Sequence, residues 1–208
     1  QANGEAVIST SPERFLRITP TKEIETRPIK GTRPRNKDSI KDSDLAADLI
    51  TSLKDRAENI MIVDLLRNDL GKVCQVGTIN VTQLVGLESF SRVHHLTSAI
   101  QGKLDQNKTW VDALEACWPG GSITGAPKIR ACKRLYEFEP IARGPYCGSF
   151  LHLNWDGHFD SNILIRSLLV EKDYLRLHAG CGIVADSDPY NESEELIWKL
   201  MPLIEALQ

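Results

Sequence analysis

Long apolar runs are missing from this chain of 208 residues. Stretches such as Ile60 to Val63 and Ile163 to Ile165 are a handful of residues each, against the roughly 20 that a membrane-crossing helix needs. An excess of one charge is missing too: 25 Lys and Arg nearly cancel 28 Asp and Glu, leaving −3. That balance argues against a general binder of nucleic acid or of anionic membranes. No basic start leads into an apolar block with a small-residue cleavage site, so no signal peptide is expected. The five cysteines (Cys74, Cys117, Cys132, Cys147 and Cys181) are odd in number and include no Cys-x-x-Cys pair. Reduced thiols in a cytoplasmic protein are the simplest reading. There is no internal repeat and no linker dividing the chain. It opens on Gln1 instead of Met, and Glu5 to Thr10 already reads as a strand, so a piece of a longer protein lacking an N-terminal part is expected.

What is present is a globular composition, 41% hydrophobic and 25% charged, long enough for one large domain. Glu5 to Thr10, Phe15 to Ile18 and Ile24 to Ile29 are β-branched-rich runs separated by turn residues, which predicts consecutive antiparallel strands. Leu45, Leu49 and Leu53 recur at helical spacing, capped by Ser43 or Asp44 and running to about Ala57. Ile60 to Val63 then reads as a buried strand, and Val73 to Val81 and Val93 to Leu104 as further strands. Thr109 with Asp112 resembles a capping box, opening a helix to about Cys117 that Pro119-Gly120-Gly121 stops. A second helix is expected from Pro127. Tyr146 to Asn154, Asn162 to Glu171 and Tyr174 to Ala179 read as strands with turns at Asp156-Gly157 and Lys172-Asp173. The last helix, from about Asp188-Pro189, places Leu196, Leu200, Ile204 and Leu207 on one face, with Pro202 expected to kink or split it. Meanders mixed irregularly with helices predict an α+β fold.

Several segments could carry chemistry. Gly120-Gly121-Ser122-Ile123-Thr124-Gly125 leads into a helix, where free N–H groups and the helix dipole suit an anion. It lacks P-loop spacing, and a plain loop is the alternative. Gly180-Cys181-Gly182 is another tight turn, or a strand bend. Glu192, Glu195 and Lys199 share one side of the last helix, either as an ion-paired face or, with Glu58, as ligands of a hard cation such as Mg²⁺. Lys30 ends an apolar strand and is either a nucleophile held where its charge is penalised or a surface lysine. His95 alternates with Val93 and Thr97, as a core histidine would. Arg166 interrupts an apolar strand and needs an anionic partner.

Together the segments SPERF (11–15), PIKGT (28–32), DRAENIMIVDLLRNDLG (55–71), HHL (94–96), PGGSITGAPK (119–128), IRS (165–167), GCGIVADS (180–187) and ESEELIWK (192–199) resemble the C-terminal catalytic portion of the chorismate-utilising enzymes. That family includes anthranilate, isochorismate, salicylate and aminodeoxychorismate synthases. The resemblance covers nearly the whole chain, read as one partial chorismate-binding domain over 1–208. It is closest to the aminodeoxychorismate-forming branch, because PIKGT carries Lys30 where anthranilate synthases carry Ala. It implies an α+β sandwich of antiparallel sheets with the site between them and the N-terminal part missing. Carried over, it implies Mg²⁺ on Glu58 and Glu195 with Glu192 close by. Substrate carboxylates would lie on Gly120, Gly121, Ser122, Thr124, Gly180, Gly182 and Arg166, with Lys199 pairing with Glu195 or lining the site. Lys30 is implied as nucleophile, Glu13 as acid and His95 as an orienting or polarising group. The ammonia would come from a glutamine amidotransferase, as a separate partner or a fused domain. A sibling chemistry, or a module that binds without catalysing, are the competing expectations.

Overall fold

The computed structural model describes residues 4–208. Two antiparallel sheets and five helices make up its α+β architecture. The large sheet is organised around β6 (Val93–Lys103), whose residues His94 to Ile100 are all buried. Along one edge of β6 runs β5 (Asn80–Ser89). Along the other lie β3 (Glu23–Arg27) and β4 (Ile29–Pro34), end to end, with Thr26 opposite Ile100 and Ile29 opposite Thr97. Pro28, with no N–H to donate, separates them, and its carbonyl accepts from the Ser98 N–H at 3.1 Å. From β3 the sheet continues through β2 (Arg14–Ile18), β8 (Phe159–Asn162) and β7 (Leu151–Leu153). The small sheet pairs β9 (Ser167–Glu171) with β1 (Ala6–Ser9) and β10 (Tyr174–Leu177).

The helices start where their caps place them. Asp38 caps α1 (Ser39–Thr51), accepting from the Ile40 and Lys41 N–H groups, so the helix begins several residues before Ser43 or Asp44. Ser52 ends α1, and its hydroxyl accepts from the Asp55 N–H to open α2 (Leu53–Gly71). The expected strand at Ile60 to Val63 is thus helical. Asn59, Ile62, Val63, Leu66, Asp69 and Leu70 are its buried residues, a helical spacing that outweighs a four-residue apolar run readable either way. Val73 to Val81 is mostly a turn, with Val76 fully exposed. The capping box of Thr109 and Asp112 opens α3 (Trp110–Cys117), and Pro127 precedes α4 (Lys128–Phe138). The Tyr146–Asn154 strand shrinks to β7, and the Asn162–Glu171 run divides between β8 and β9. Asp188 caps α5 (Pro189–Glu205), which stays continuous through Pro202. The proline sits in the last turn, facing solvent, and removes only one hydrogen bond there. Glu192 and Leu203 are the buried residues of α5, while Ile204 and Leu207 are exposed.

The main core lies between the large sheet and α2, with Phe15, Leu16, Ile18, Ile24, Ile100 and Phe159 meeting Ile62, Val63, Leu66 and Leu70. One polar bolt crosses it. Asn59, fully buried, donates to the Leu96 carbonyl at 3.2 Å and accepts from the Ser98 hydroxyl. Asn59→Ala strands both partners and should cost about 2–3 kcal/mol, read as a lower urea midpoint at unchanged slope.

Candidate active site

Lys30 sits at a β-bulge. Its partner on β6 is Leu96, while Thr32, two residues on, pairs with His95, leaving Gly31 as the extra residue at φ 81°. A Cβ on Gly31 would lie 2.8 Å from Leu49 Cδ1, so neither the backbone nor the space admits a side chain. Cross-strand partners share a face, which puts Lys30 with Leu96 on the side of α1 and α2. There Lys30 Nζ lies 3.7 Å from Glu58 Oε2 and donates to the Ser122 carbonyl at 3.3 Å. Burial raises the Glu58 carboxyl above its ordinary value, opposed by the charges of Lys30 and Lys54.

Glu13 completes this group. It is 5% exposed, and burial pushes its carboxyl up to about 7, against the Ser122 side chain and the Lys30 charge, which favour the anion. Gly182 closes the site from the other side: a Cβ there would lie 2.8 Å from Glu58 Oε2 and 3.4 Å from Lys30 Nζ. Gly182→Ala must therefore displace one of the two groups. If they react as a unit, a shift of this size should lower turnover about 100-fold, with little change in melting temperature, as steady-state kinetics beside thermal unfolding would show.

The glycine-rich segment packs tightly against α2. Gly120 and Gly121 are buried against Ile163 and Leu65, Gly121–Ile123 forms a 3-10 turn, and the Thr124 hydroxyl donates to the Gly120 carbonyl at 2.8 Å. Lys128 is engaged at the start of α4, donating to buried Asp69 and, at 2.8 Å, to the Cys117 carbonyl. Its ammonium anchors the segment to α2.

His95 shares Thr32's face, opposite Lys30's, and its Nδ1 is 2.9 Å from the Thr32 hydroxyl. Burial, then the nearby Arg166 charge, lowers the imidazole to about 4, so it is neutral at pH 7. Arg166 lies where the chain leaves the large sheet for the small one, at φ 48°, and not inside a strand as expected. It is half-buried, which lowers its pKa, and no carboxylate among the described residues pairs with its guanidinium. A partly desolvated cation in that condition suits an anionic ligand.

On α5, Glu195 pairs with Lys199 at 2.6 Å, and Glu192 pairs with Lys54 of α2 at 2.6 Å. Lys199 also donates to the Gly180 carbonyl at 2.9 Å, while a Cβ on Gly180 would meet the Tyr146 hydroxyl at 2.9 Å. Burial is the largest influence on the Glu192 carboxyl and raises it, but hydrogen bonds from Lys54 and Ser187 and the Lys54 charge together outweigh burial and leave it lowered. Glu192 Oε2 is buried without a hydrogen-bond partner. An orphaned carboxylate oxygen beside a second carboxylate fits a hard divalent cation. Glu58 lies nearer Lys30 than these two, yet its carboxyl feels the Glu195 charge. Among the described residues, the ligand atoms that lie within 4.8 Å of one another come from Glu192, Glu195 and Cys181.

Lys54, Cys181 and Thr32 join these groups without having been singled out in the sequence. Lys54 and Glu192 are 138 residues apart, a pairing no local pattern reports. Thr32 was legible only as the end of PIKGT.

Known proteins resemble this chain in sequence and in fold over nearly its whole length. The family model described as chorismate binding enzyme matches residues 1–205. Aminodeoxychorismate synthase component 1 of Escherichia coli is 46% identical over 203 residues, 98% of this chain and 45% of that protein. Anthranilate synthase component 1 of Thermus thermophilus is 45% identical over 206 residues, 99% of this chain and 44% of that protein. The structure of MenF, the menaquinone-specific isochorismate synthase from Escherichia coli, superposes with a TM-score of 0.87 at 28% identity, covering 99% of this chain and 47% of that one. The chain thus spans less than half the length of these relatives. A family match over nearly every residue, with relatives at this identity, means that the chain belongs to the chorismate binding enzyme family.

Proposed function

We propose that the chain is the C-terminal catalytic part of an aminodeoxychorismate synthase component 1, which converts chorismate and ammonia to 4-amino-4-deoxychorismate. The observation that carries this reading is the grouping of Lys30, Glu58 and Ser122 around one amine, with a buried Glu13 carboxyl beside it. The unprotonated Lys30 amine attacks carbon 2 of the ring. The ring double bonds shift, and the hydroxyl at carbon 4 leaves as water with the Glu13 proton. Ammonia then adds at carbon 4, the double bonds return, and the Lys30 nitrogen is expelled from carbon 2, regenerating the amine. A carboxyl at about 7 is still half protonated at neutral pH, the state an acid needs.

Arg166 and the N–H groups of the 120–122 segment and Gly182 bind the substrate's carboxylates. Neutral His95, fixed by Thr32 on the face of β6 opposite Lys30, would bear on the substrate only through Arg166, whose charge it feels, and not on the leaving group directly. Glu192 and Glu195, with Glu58 beside them, would hold Mg²⁺, which when bound fixes the ring carboxylate and draws electron density from the ring. The ammonia would come from a glutamine amidotransferase partner or fused domain; none of the five cysteines lies in a glutaminase nucleophile motif.

The relative from Thermus thermophilus, an anthranilate synthase at nearly equal identity, keeps a second reading in play: attack by ammonia at carbon 2 without a covalent lysine. Peptide mass spectrometry after mixing the protein with chorismate and Mg²⁺, but no ammonia, separates the two. A chorismate-derived adduct on Lys30, of chorismate less water, is the expected result. No adduct, with anthranilate formed once ammonium is added, would overturn the proposal.

A further inference from the structure

Cys181 has no part in the chemistry above, yet its sulfur lies within the same 4.8 Å group as carboxylate oxygens of Glu192 and Glu195. A magnesium ion has no use for sulfur, whereas zinc, cadmium and cobalt take thiolate and carboxylate together. We propose that Cys181, Glu192 and Glu195 form a site for a thiophilic divalent cation, zinc foremost, built partly from the carboxylates assigned above to magnesium. It rests on that assignment only for the competition between the two ions.

Three observations carry it. Glu192 is 8% exposed, and while Lys54 holds its Oε1, its Oε2 has no hydrogen-bond partner, so one oxygen of a buried carboxylate is left open to a ligand. Cys181 and Glu192 are already joined locally, the thiol donating to the Glu192 carbonyl at 3.4 Å. Lys199 holds a cation's place beside the third ligand, 2.6 Å from Glu195 Oε1 and 3.8 Å from Cys181 Sγ. Three protein ligands and one open position make a familiar zinc shell, with bonds of about 2.3 Å to sulfur and about 2.0–2.2 Å to oxygen. On binding, the Cys181 S–H bond breaks, its proton passes to solvent and a metal–sulfur bond forms. Lys199 gives up its place on Glu195. No electron is transferred, and the ion is the only co-reactant. An ion held this way excludes magnesium from Glu192 and Glu195, so zinc should act as an inhibitor that magnesium relieves.

Cobalt(II) is the probe, because thiolate ligation gives an intense near-ultraviolet charge-transfer absorption. Titrating the reduced protein should produce that band at one equivalent. Zinc should abolish it, and Cys181→Ser should remove it and weaken zinc binding roughly 100-fold or more. Glu192→Gln should weaken cobalt binding while keeping the melting temperature. A band that never forms, or that persists in Cys181→Ser, overturns the site. Magnesium calorimetry on the same samples tests the earlier assignment separately. Magnesium heat lost in Glu195→Gln but kept in Cys181→Ser supports shared carboxylates. A cobalt band without any magnesium binding sinks the magnesium assignment and leaves the thiophilic site standing.

Discussion

Replacing Lys30 by alanine should reduce formation of 4-amino-4-deoxychorismate by on the order of 10⁴-fold. The expectation follows from the site's construction. Lys30 is the amine placed between the Glu58 carboxylate, the Ser122 carbonyl and Glu13, and in the covalent route it forms and breaks the bond at carbon 2. Losing a nucleophile eliminates that route, so loss should appear in turnover more than in KM. Chorismate binding should survive, because the groups that hold its carboxylates, Arg166 and backbone N–H groups, are left in place by the substitution. Measuring product by mass after incubation with ammonium and Mg²⁺ reads both quantities. Unchanged turnover in Lys30→Ala, or anthranilate or a water adduct as the main product of the unmodified protein, would defeat the assignment.

Glu13→Gln should move activity and stability in opposite directions. Turnover should fall roughly 10²- to 10⁴-fold, since the amide has no proton to give a departing hydroxyl. Stability should rise at alkaline pH. The folded carboxyl sits at about 7 against an ordinary 4.5, so between those values the folded state holds a proton that the unfolded chain releases. Stability from this group is therefore present below about 4.5, declines as pH rises through the window, and is lost above about 7. The size is about 3 kcal/mol for such a fully buried group. Glutamine resembles the protonated form at every pH, and its unfolding free energy should stay flatter across that range. Chemical denaturation at several pH values would show it, and parallel pH profiles for the two proteins would count against a buried, proton-holding Glu13.

How much of this was readable beforehand depends on distance along the chain. The capping box at Thr109 and Asp112, the helix after Pro127 and the hairpin at Lys172-Asp173 rest on neighbouring residues, and they are where local chemistry places them. The Ile60–Val63 run misled because four apolar residues suit a buried strand or a buried helix, and only the spacing from Asn59 to Leu70 separates the two. Arg166 was read inside a strand because β8 and β9 are nearly contiguous in sequence, yet they belong to different sheets. Contiguous motifs made Lys30, Glu13, Glu58 and Gly182 visible as candidates, and the fold brings them together. His95 was visible too, but only the bulge reveals that it faces away from Lys30. Cys181 reads in the sequence only as the middle of a tight turn or strand bend, because the carboxylates it meets, Glu192 and Glu195, belong to the following helix α5.

The bulge at Gly31 is redundant as a matter of counting. Excising Gly31 would make Lys30 and Thr32 adjacent, and adjacent strand residues alternate sides, so every downstream side chain would keep the side it now has. What the surplus residue supplies is therefore angle, since a bulge bends and twists its strand locally and so aims the Lys30 side chain. A shortened β4 should keep its pairing with β6 and lose its aim.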